Sequence, residues 1–382
     1  MSPIGNNLLL ESTLRAVDLF SGCGGISCGV SAAGFDVLAG ADVEKNYIQT
    51  FKANFPTARA LTIDLARHDP QSVLEGLGLR RGDLDLLTGG PPCQGFSKNV
   101  PRRDRFLDQE QNTHVRTYLE YVEAWRPRFV LMENVAEMKA GFEQAYSDEV
   151  FARLRESGYS VGHAVLNSAD YGVPQRRRRA FFIGARDGMK PVIPRPTHAK
   201  SMDGGLFALP QHISVWNAIG DLPSVEHGET SERYGMEPQT EFQRLARGNQ
   251  ETVQNHAARR LEPKQYARIA ALLPGQGLKD LPKELQTKGG YSGAYGRLTE
   301  DMVAPTITRW VFHPGSGRWG HPRDLRLITM REVARLQGFP DSFCFVGSYL
   351  QQAGQLGNAV PPMLAKAVVA PMATQLGGGR AG

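Results

Sequence analysis

Cys93 stands in the run Gly89-Gly90-Pro91-Pro92-Cys93-Gln94-Gly95-Phe96-Ser97, just after the apolar stretch 83–88. A thiolate is the strongest ordinary side-chain nucleophile near neutral pH. A rigid Pro-Pro turn at a strand's carboxyl end sets it where open α/β sheets bind ligands. Buried structural cysteines, the usual fate of a free thiol, seldom occupy such a turn. Glu133 ends a second apolar stretch, 128–132, in the triplet Glu133-Asn134-Val135. A carboxyl half buried there has a raised pKa and can donate a proton; a strand-end salt bridge is the simpler alternative. Residues Gln175-Arg176-Arg177-Arg178-Arg179 lead into the apolar stretch 180–184. Alternate residues of an extended segment share a side, so Arg177 and Arg179 point together and Arg176 and Arg178 away. One pair can face a site while the other meets phosphates. A solvated charge run has the same composition.

A ligand loop is the fourth feature. The stretch 15–20 runs into Ser21-Gly22-Cys23-Gly24-Gly25, a glycine-rich turn opening a helix. Glycines let a ligand approach the backbone, and a helix N-terminus offers unpaired N–H groups to an anion. Gly22, Gly24 and Gly25 are grouped too tightly for the dinucleotide G-x-G-x-x-G spacing. The next apolar stretch ends at Asp42, with Glu44 close behind. An acid at that point can accept a pair of ribose hydroxyls.

These groups need a frame. Short apolar stretches at 15–20, 35–41, 83–88, 128–133, 160–166 and 180–184 read as strands, separated by helix-like segments. In 117–125, Tyr118, Tyr121, Val122 and Trp125 share one helical face, and Pro127 follows as a stop. Strands alternating with helices predict an α/β fold with a mostly parallel, doubly wound sheet. From 186 to 326 the pattern loosens into scattered Pro, Gly and polar residues, with one helix expected over 262–273. Nineteen Lys and Arg against fifteen Asp and Glu put most of the excess positive charge in this interval. Order returns at Thr329-Met330-Arg331-Glu332, a capping-box pattern, with Gly338 and Pro340 as stops. A final helix is expected over 361–374.

Composition narrows the class. A chain of 382 residues at ~150 per domain suggests two domains or one with a large insertion. Hydrophobic residues at 41% and charged residues at 22% are ordinary globular usage. A mean hydropathy of -0.34 and the lack of a ~20-residue apolar run argue against a membrane span. The first fourteen residues lack the layout of a secretory signal. A net charge of +5 fits a nucleic-acid partner without requiring one. The four cysteines, Cys23, Cys28, Cys93 and Cys344, form no Cys-x-x-Cys pair and read as free thiols in a reducing, cytoplasmic setting, with no metal site.

Taken in order, the motifs resemble those of the C5-cytosine-specific DNA methyltransferase family, bacterial type. The loop 18–25 is similar to its S-adenosylmethionine loop, 90–97 to its nucleophile motif, and 133–135 to its Glu-Asn-Val motif. Residues 175–179 resemble its Gln-x-Arg-x-Arg motif, 331–341 its late Arg-Glu segment, and 357–362 its closing Gly-Asn-x-Val motif. The matches span 16 to 362 and leave only about 186–290 uncovered. The resemblance implies a Rossmann-like S-adenosylmethionine-dependent domain, residues 1–200 with 345–382, and a smaller irregular target-recognition domain, residues 201–344. It implies S-adenosyl-L-methionine as methyl donor, S-adenosyl-L-homocysteine as product, no metal, and double-stranded DNA as partner. By the same resemblance Phe20, Gly22, Gly24, Gly25 and Pro92 line the cofactor, Asp42 takes the ribose, Asp64 the adenine amino group, and Asn358 closes over the methionine end. Cys93 becomes the nucleophile, Glu133 the contact to cytosine N3, and Arg177 and Arg179 hold the base.

A monomer, nucleoid-associated when bound to DNA and paired with a cognate restriction endonuclease, is the expectation that follows. Where the family's mobile loop often carries Asp-x-Arg-Asn, this chain reads Asp108-Gln109-Glu110-Gln111-Asn112. The segment 295–309 is expected to form part of the recognition surface. The competing reading within the same chemistry is an RNA (tRNA) cytosine-5 methyltransferase, but that branch's Cys-Phe-Thr motif is missing here, since Cys344 precedes Phe345-Val346. A catalytically dead DNA-binding scaffold is disfavoured by Cys93, Glu133 and Arg179. A nicotinamide oxidoreductase is disfavoured by the glycine spacing.

Overall fold

The structure, a computed structural model, describes residues 13–92, 113–136, 142–200, 208–289 and 293–378. Seven strands form one sheet: β1 (Leu14–Leu19), β2 (Phe35–Asp42), β3 (Arg59–Thr62), β4 (Leu86–Gly89), β5 (Phe129–Val135), β6 (Ser160–Asn167) and β7 (Arg178–Ala185). Their order is β3-β2-β1-β4-β5-β7-β6. β1 to β5 pair in parallel, and β7 is antiparallel to both β5 and β6. Strand order reverses between β1 and β4, the point where a crevice opens at the strands' carboxyl ends. The mostly parallel, doubly wound α/β sheet therefore matches the sequence pattern. β3 was not foreseen, because its four residues are at most half buried and show no apolar run.

Helices α1 (Gly25–Ala32), α2 (Lys45–Asn54), α3 (Pro70–Gly76), α4 (Thr113–Trp125) and α5 (Phe142–Glu156) alternate with the strands. Then come α6 (Val215–Ile219), α7 (Glu241–Arg247), α8 (Pro263–Ala270), α9 (Met330–Leu336), α10 (Tyr349–Asn358) and α11 (Pro362–Gly378). On one sheet face, β-strand residues pack with Tyr118, Tyr121, Val122 and Trp125 of α4, the helical face expected from spacing. On the other, Ile26 and Val30 of α1 and Leu364, Val368 and Val369 of α11 cover the sheet. Both faces are apolar and covered, as parallel sheets require.

A third core gathers the rest. It runs from Val215 through Leu298 and Ile307 to Phe345, and includes Cys23 of the glycine loop and Ala353 and Leu356 of α10. The interval 186–326 is as irregular as its sequence: α6, α7 and α8 have five, seven and eight residues, and short 3-10 turns at Leu278–Asp280 and Lys283–Leu285 follow α8. α6 and α7 were not expected. α6 is too short for a helical period, yet Ser214 caps it, and Thr240 with Gln243 forms a capping box on α7. The expected capping box of Thr329 and Glu332 on α9 is present, and Gly338 adopts the positive φ of 76° that ends it.

Candidate active site

The glycine loop leaves β1 through three positive-φ residues in five: Phe20 (53°), Gly22 (56°) and Gly24 (98°). For phenylalanine that conformation is strained, and such strain clusters at ligand sites. Asp42, at the end of β2, ties the loop down. Gly22 N–H donates to its Oδ2 at 2.9 Å and Glu44 N–H to its Oδ1 at 2.9 Å. A carboxylate has about four acceptor positions, so two stay available for hydroxyls. Burial pushes the Asp42 pKa up, against the two backbone donors.

The other residues assigned to a cofactor surround this loop to different degrees. Asn358, the last residue of α10, donates from Nδ2 to the Tyr47 hydroxyl at 2.9 Å, and the Tyr47 ring lies 4.0 Å from where a Gly22 Cβ would be. Burial pushes the Tyr47 hydroxyl up to about 12, so it stays protonated. Asp64 follows β3, accepts from Ala66 N–H at 3.1 Å and pairs with Arg67 at 3.1 Å. Gly25 has a structural reason: a Cβ there would meet Val360 O at 2.5 Å, so glycine lets α1 press on the closing segment. Pro92 is exposed beyond β4, at the edge of the described residues.

Cys93 itself, and the loop 98–112, lie outside the described residues. The turn that leads to Cys93 is anchored, since Asn134 Nδ2 donates to Pro91 O at 3.2 Å. Elsewhere, burial pushes the Cys23 and Cys28 thiols up to about 12, which suppresses their thiolates.

Glu133 is buried at the carboxyl end of β5, 3.3 Å from where a Gly90 Cβ would stand. Its Oε1 accepts from Arg179 Nε at 2.8 Å. Antiparallel register explains the pair: Glu133 faces Phe181 and Val135 faces Arg179, so Arg179 is Glu133's diagonal neighbour on one face. The strand-end salt bridge, the simpler of the two sequence alternatives, is therefore present. Burial raises its pKa, while Arg179 and then Arg177 pull it back down.

Alternation in the arginine run holds: Arg177 is buried and Arg179 half-buried, whereas Arg176 and Arg178 are exposed. Arg177 and Arg179 nevertheless have different partners. Arg177, 1% exposed, donates from Nη1 to Ile307 O at 2.8 Å and from Nη2 to Gly357 O at 2.9 Å. Its guanidinium thus braces two distant main-chain segments. Gln175 extends the brace, accepting from Ile307 N–H at 2.8 Å and donating to Gln337 Oε1 at 2.6 Å. The expected recognition stretch divides. Tyr295 and Arg297 are buried, and Arg297 spends its donors on the carbonyls of Leu272, His321, Pro322 and Arg323. Thr306 and Arg309 are exposed.

Asp18 went unnoticed in the sequence. Buried at the end of β1, it accepts from Ser27 Oγ at 2.6 Å and Thr88 Oγ1 at 2.8 Å, joining α1 to the strand that precedes Cys93. Burial pushes its carboxyl up to about 6. An acid alone among the apolar residues of a core strand was the available signal.

A doubly wound sheet with a positive-φ glycine loop after β1 and a buried Glu–Arg pair at the end of β5 is an architecture of the Rossmann-like class. Residues 14–373 match the C-5 cytosine-specific DNA methylase family, and the chain belongs to it. It is a DNA (cytosine-5)-methyltransferase. Type II methyltransferase M1.HphI of Haemophilus parahaemolyticus is 34% identical, over 94% of this chain and 87% of that one. Type II methyltransferase M.AgeI of Thalassovita gelatinovora is 31% identical, over 93% and 98%. Among solved structures, a prophage-encoded DNA modification methyltransferase of E. coli superposes with a TM-score of 0.75 at 24% identity, over 95% of this chain and 99% of that one. The S. pombe Dnmt2 methyltransferase does so with 0.56 at 16%, over 95% and 99%. At these identities the two structures speak to the fold alone.

Proposed function

We propose that the chain transfers a methyl group from S-adenosyl-L-methionine to C5 of a cytosine flipped out of a specific double-stranded DNA sequence. The observation that carries this reading is the buried Glu133–Arg179 pair beside the turn that leads to Cys93. Cytosine C5 is a poor nucleophile because the ring is electron-poor. Addition of the Cys93 thiolate to C6 makes the ring enamine-like, and negative charge builds at N3. Glu133, whose pKa burial raises against the pull of Arg179, would donate a hydrogen bond or a proton to N3 as that charge builds. The cofactor supplies a methyl group activated on a sulfonium. With that methyl passed to C5 and S-adenosyl-L-homocysteine released, loss of the C5 proton and elimination of Cys93 would restore the ring. C6 is inaccessible in a stacked duplex, so the base must leave the helix.

The cofactor fits the residues present. The Phe20–Gly25 loop, Asp42, Asp64, Pro92 and Asn358 would hold it, with the two free acceptor positions of Asp42 taking ribose hydroxyls. Arg179 orients Glu133, and Arg177 positions rather than touches the base. Residues 201–344 are assigned to target recognition, 1–200 with 345–382 to catalysis. A monomeric cytoplasmic enzyme, with a restriction endonuclease sharing its site, completes the proposal; no helix among the described residues is long and apolar enough to cross a membrane.

Trapping tests the covalent step. Fluorine at C5 cannot leave as a proton does, so DNA carrying 5-fluorocytosine should hold the wild type in a complex that survives denaturing electrophoresis. Cys93→Ala should form no adduct and no methylcytosine while binding S-adenosylmethionine nearly as well. Full activity in Cys93→Ala ends the nucleophile assignment.

A further inference from the structure

We infer that Trp310 is the side chain that enters the DNA duplex beside the target base as that base leaves the stack, with Arg309 at the adjoining phosphate. The inference rests on the proposed function and names a duplex-contacting residue for it. Of the four tryptophans, Trp125 and Trp319 are buried and Trp216 lies under the Arg323 guanidinium at 3.7 Å. Trp310 is 51% exposed. Its ring has the Arg309 guanidinium 5.2 Å from its centroid and the Phe312 ring at 5.8 Å, and Arg259 lies 5.2 Å over Phe312. Two aromatic rings flanked by two arginines are the surface chemistry that grips unstacked bases and their phosphates.

Position makes that surface relevant to the reaction. Ile307, three residues before Trp310, is pinned through N–H and C=O by Gln175 and Arg177. Thr306 Oγ1 donates to Arg176 O at 2.6 Å. On the other side Gly357 presses so closely that a Cβ there would stand 2.1 Å from Arg309 N. Three residues of chain span at most about 11 Å, so Trp310 is held near the arginine strand that carries the Glu133 partner. The turn beneath it is fixed too: Val311 N–H donates to Thr308 O at 3.0 Å and His313 N–H to Trp310 O at 2.8 Å. An indole on a rigid mount can displace or replace a base without first being ordered, which lowers the entropic cost of entry.

The energetics favour such a group. Flipping a base costs a few kcal/mol of lost stacking and pairing. An aromatic ring in the duplex returns part of that lost stacking. Apolar wedges that open base steps act on the same principle. Removing the indole should therefore hurt only where the enzyme must open an intact pair.

The test uses the full-length enzyme and a duplex carrying the site found by bisulfite sequencing of DNA from cells expressing it. A second duplex has an abasic position opposite the target cytosine, so that no pair needs opening. Trp310→Ala should lose at least tenfold in single-turnover methylation rate on the paired duplex and come within about threefold of wild type on the abasic one. Trp310→Phe should fall between them on the paired duplex. Affinity for S-adenosylmethionine should stay unchanged in both variants, which shows that the fold is kept. Equal losses on the two duplexes, or none on either, overturn the inference. A wild type that forms no methylcytosine on either duplex overturns the proposed function beneath it, and this inference with it.

Discussion

Glu133 is buried beside a cation, and the two influences on its carboxyl oppose each other. Burial favours the neutral acid; Arg179, 2.8 Å away, favours the anion. With Arg179→Gln only burial remains strong, so Glu133 should keep its proton to higher pH. The alkaline limb of the single-turnover rate, where a needed proton is lost, should then move upward in pH. Glu133→Gln should remove that limb and cost ~10²–10⁴-fold in rate, the usual size of general acid catalysis. Rate profiles from pH 6 to 10 decide it, and a limb that stays put in Arg179→Gln assigns the titration to another group. The sequence made Glu133 visible because an acid at the end of an apolar strand is unusual. It showed which arginines share a side but not what they touch, because Ile307 and Gly357 lie 130 and 180 positions from Arg177. Alternation is a local property, whereas hydrogen-bond partners belong to the folded chain.

Elements here meet where side chains are missing. A Cβ on Gly357 would stand 2.1 Å from Arg309 N and 2.3 Å from Thr308 C, both main-chain atoms that cannot swing aside. Gly357→Ala should therefore force α10 away from the 304–309 segment, costing about 1–3 kcal/mol as overpacking does. Asn358 is the next residue, so affinity for S-adenosylmethionine should fall as well. Gly76→Ala, at the exposed end of α3 with nothing within 4 Å of the new Cβ, should change neither. Thermal melting and calorimetric titration of the two variants make the comparison; an unaffected Gly357→Ala means the segment yields. Every strand but β3 was legible as an apolar stretch, and α4 because Tyr118, Tyr121, Val122 and Trp125 form one buried face. α6 and α7 were not, because five- and seven-residue helices are held by caps and by the third core rather than by a stripe of their own.

At the scale of the molecule, the third core is unusual for the charge it buries. Arg335 donates to Asp221 and Asp341, and Arg326 to Glu332, all fully or nearly fully buried. Beside them, His321 Nδ1 accepts from Asp324 N–H at 2.8 Å and Arg323 N–H at 3.2 Å, which requires that nitrogen to be unprotonated. Burial pulls its pKa down to about 4, with Arg326 and Arg297 helping and Glu332 and Asp324 opposing. The folded pKa thus lies below the unfolded value of ~6.5. Its contribution to stability is full above ~6.5 and is lost as pH falls toward 4, because the unfolded chain takes up the proton first. The melting temperature should drop between pH 7.5 and 5, and less steeply in His321→Gln, which has no such proton to bind. Parallel slopes for the two proteins remove His321 from the account.

The grip of Gln175 and Arg177 on Ile307 and Gly357 reaches main-chain N–H and C=O groups, which every residue but proline possesses. That attachment asks nothing of the Ile307 side chain, while position 357 must stay glycine because a Cβ there would meet Arg309 N. Under the proposed assignment of 201–344 to target recognition, the polypeptide leading up to Ile307 can be rewritten while the clasp keeps tying its end to the same strand. On that proposal, freedom to change specificity would rest on two buried polar side chains, Gln175 and Arg177, that hold main chain.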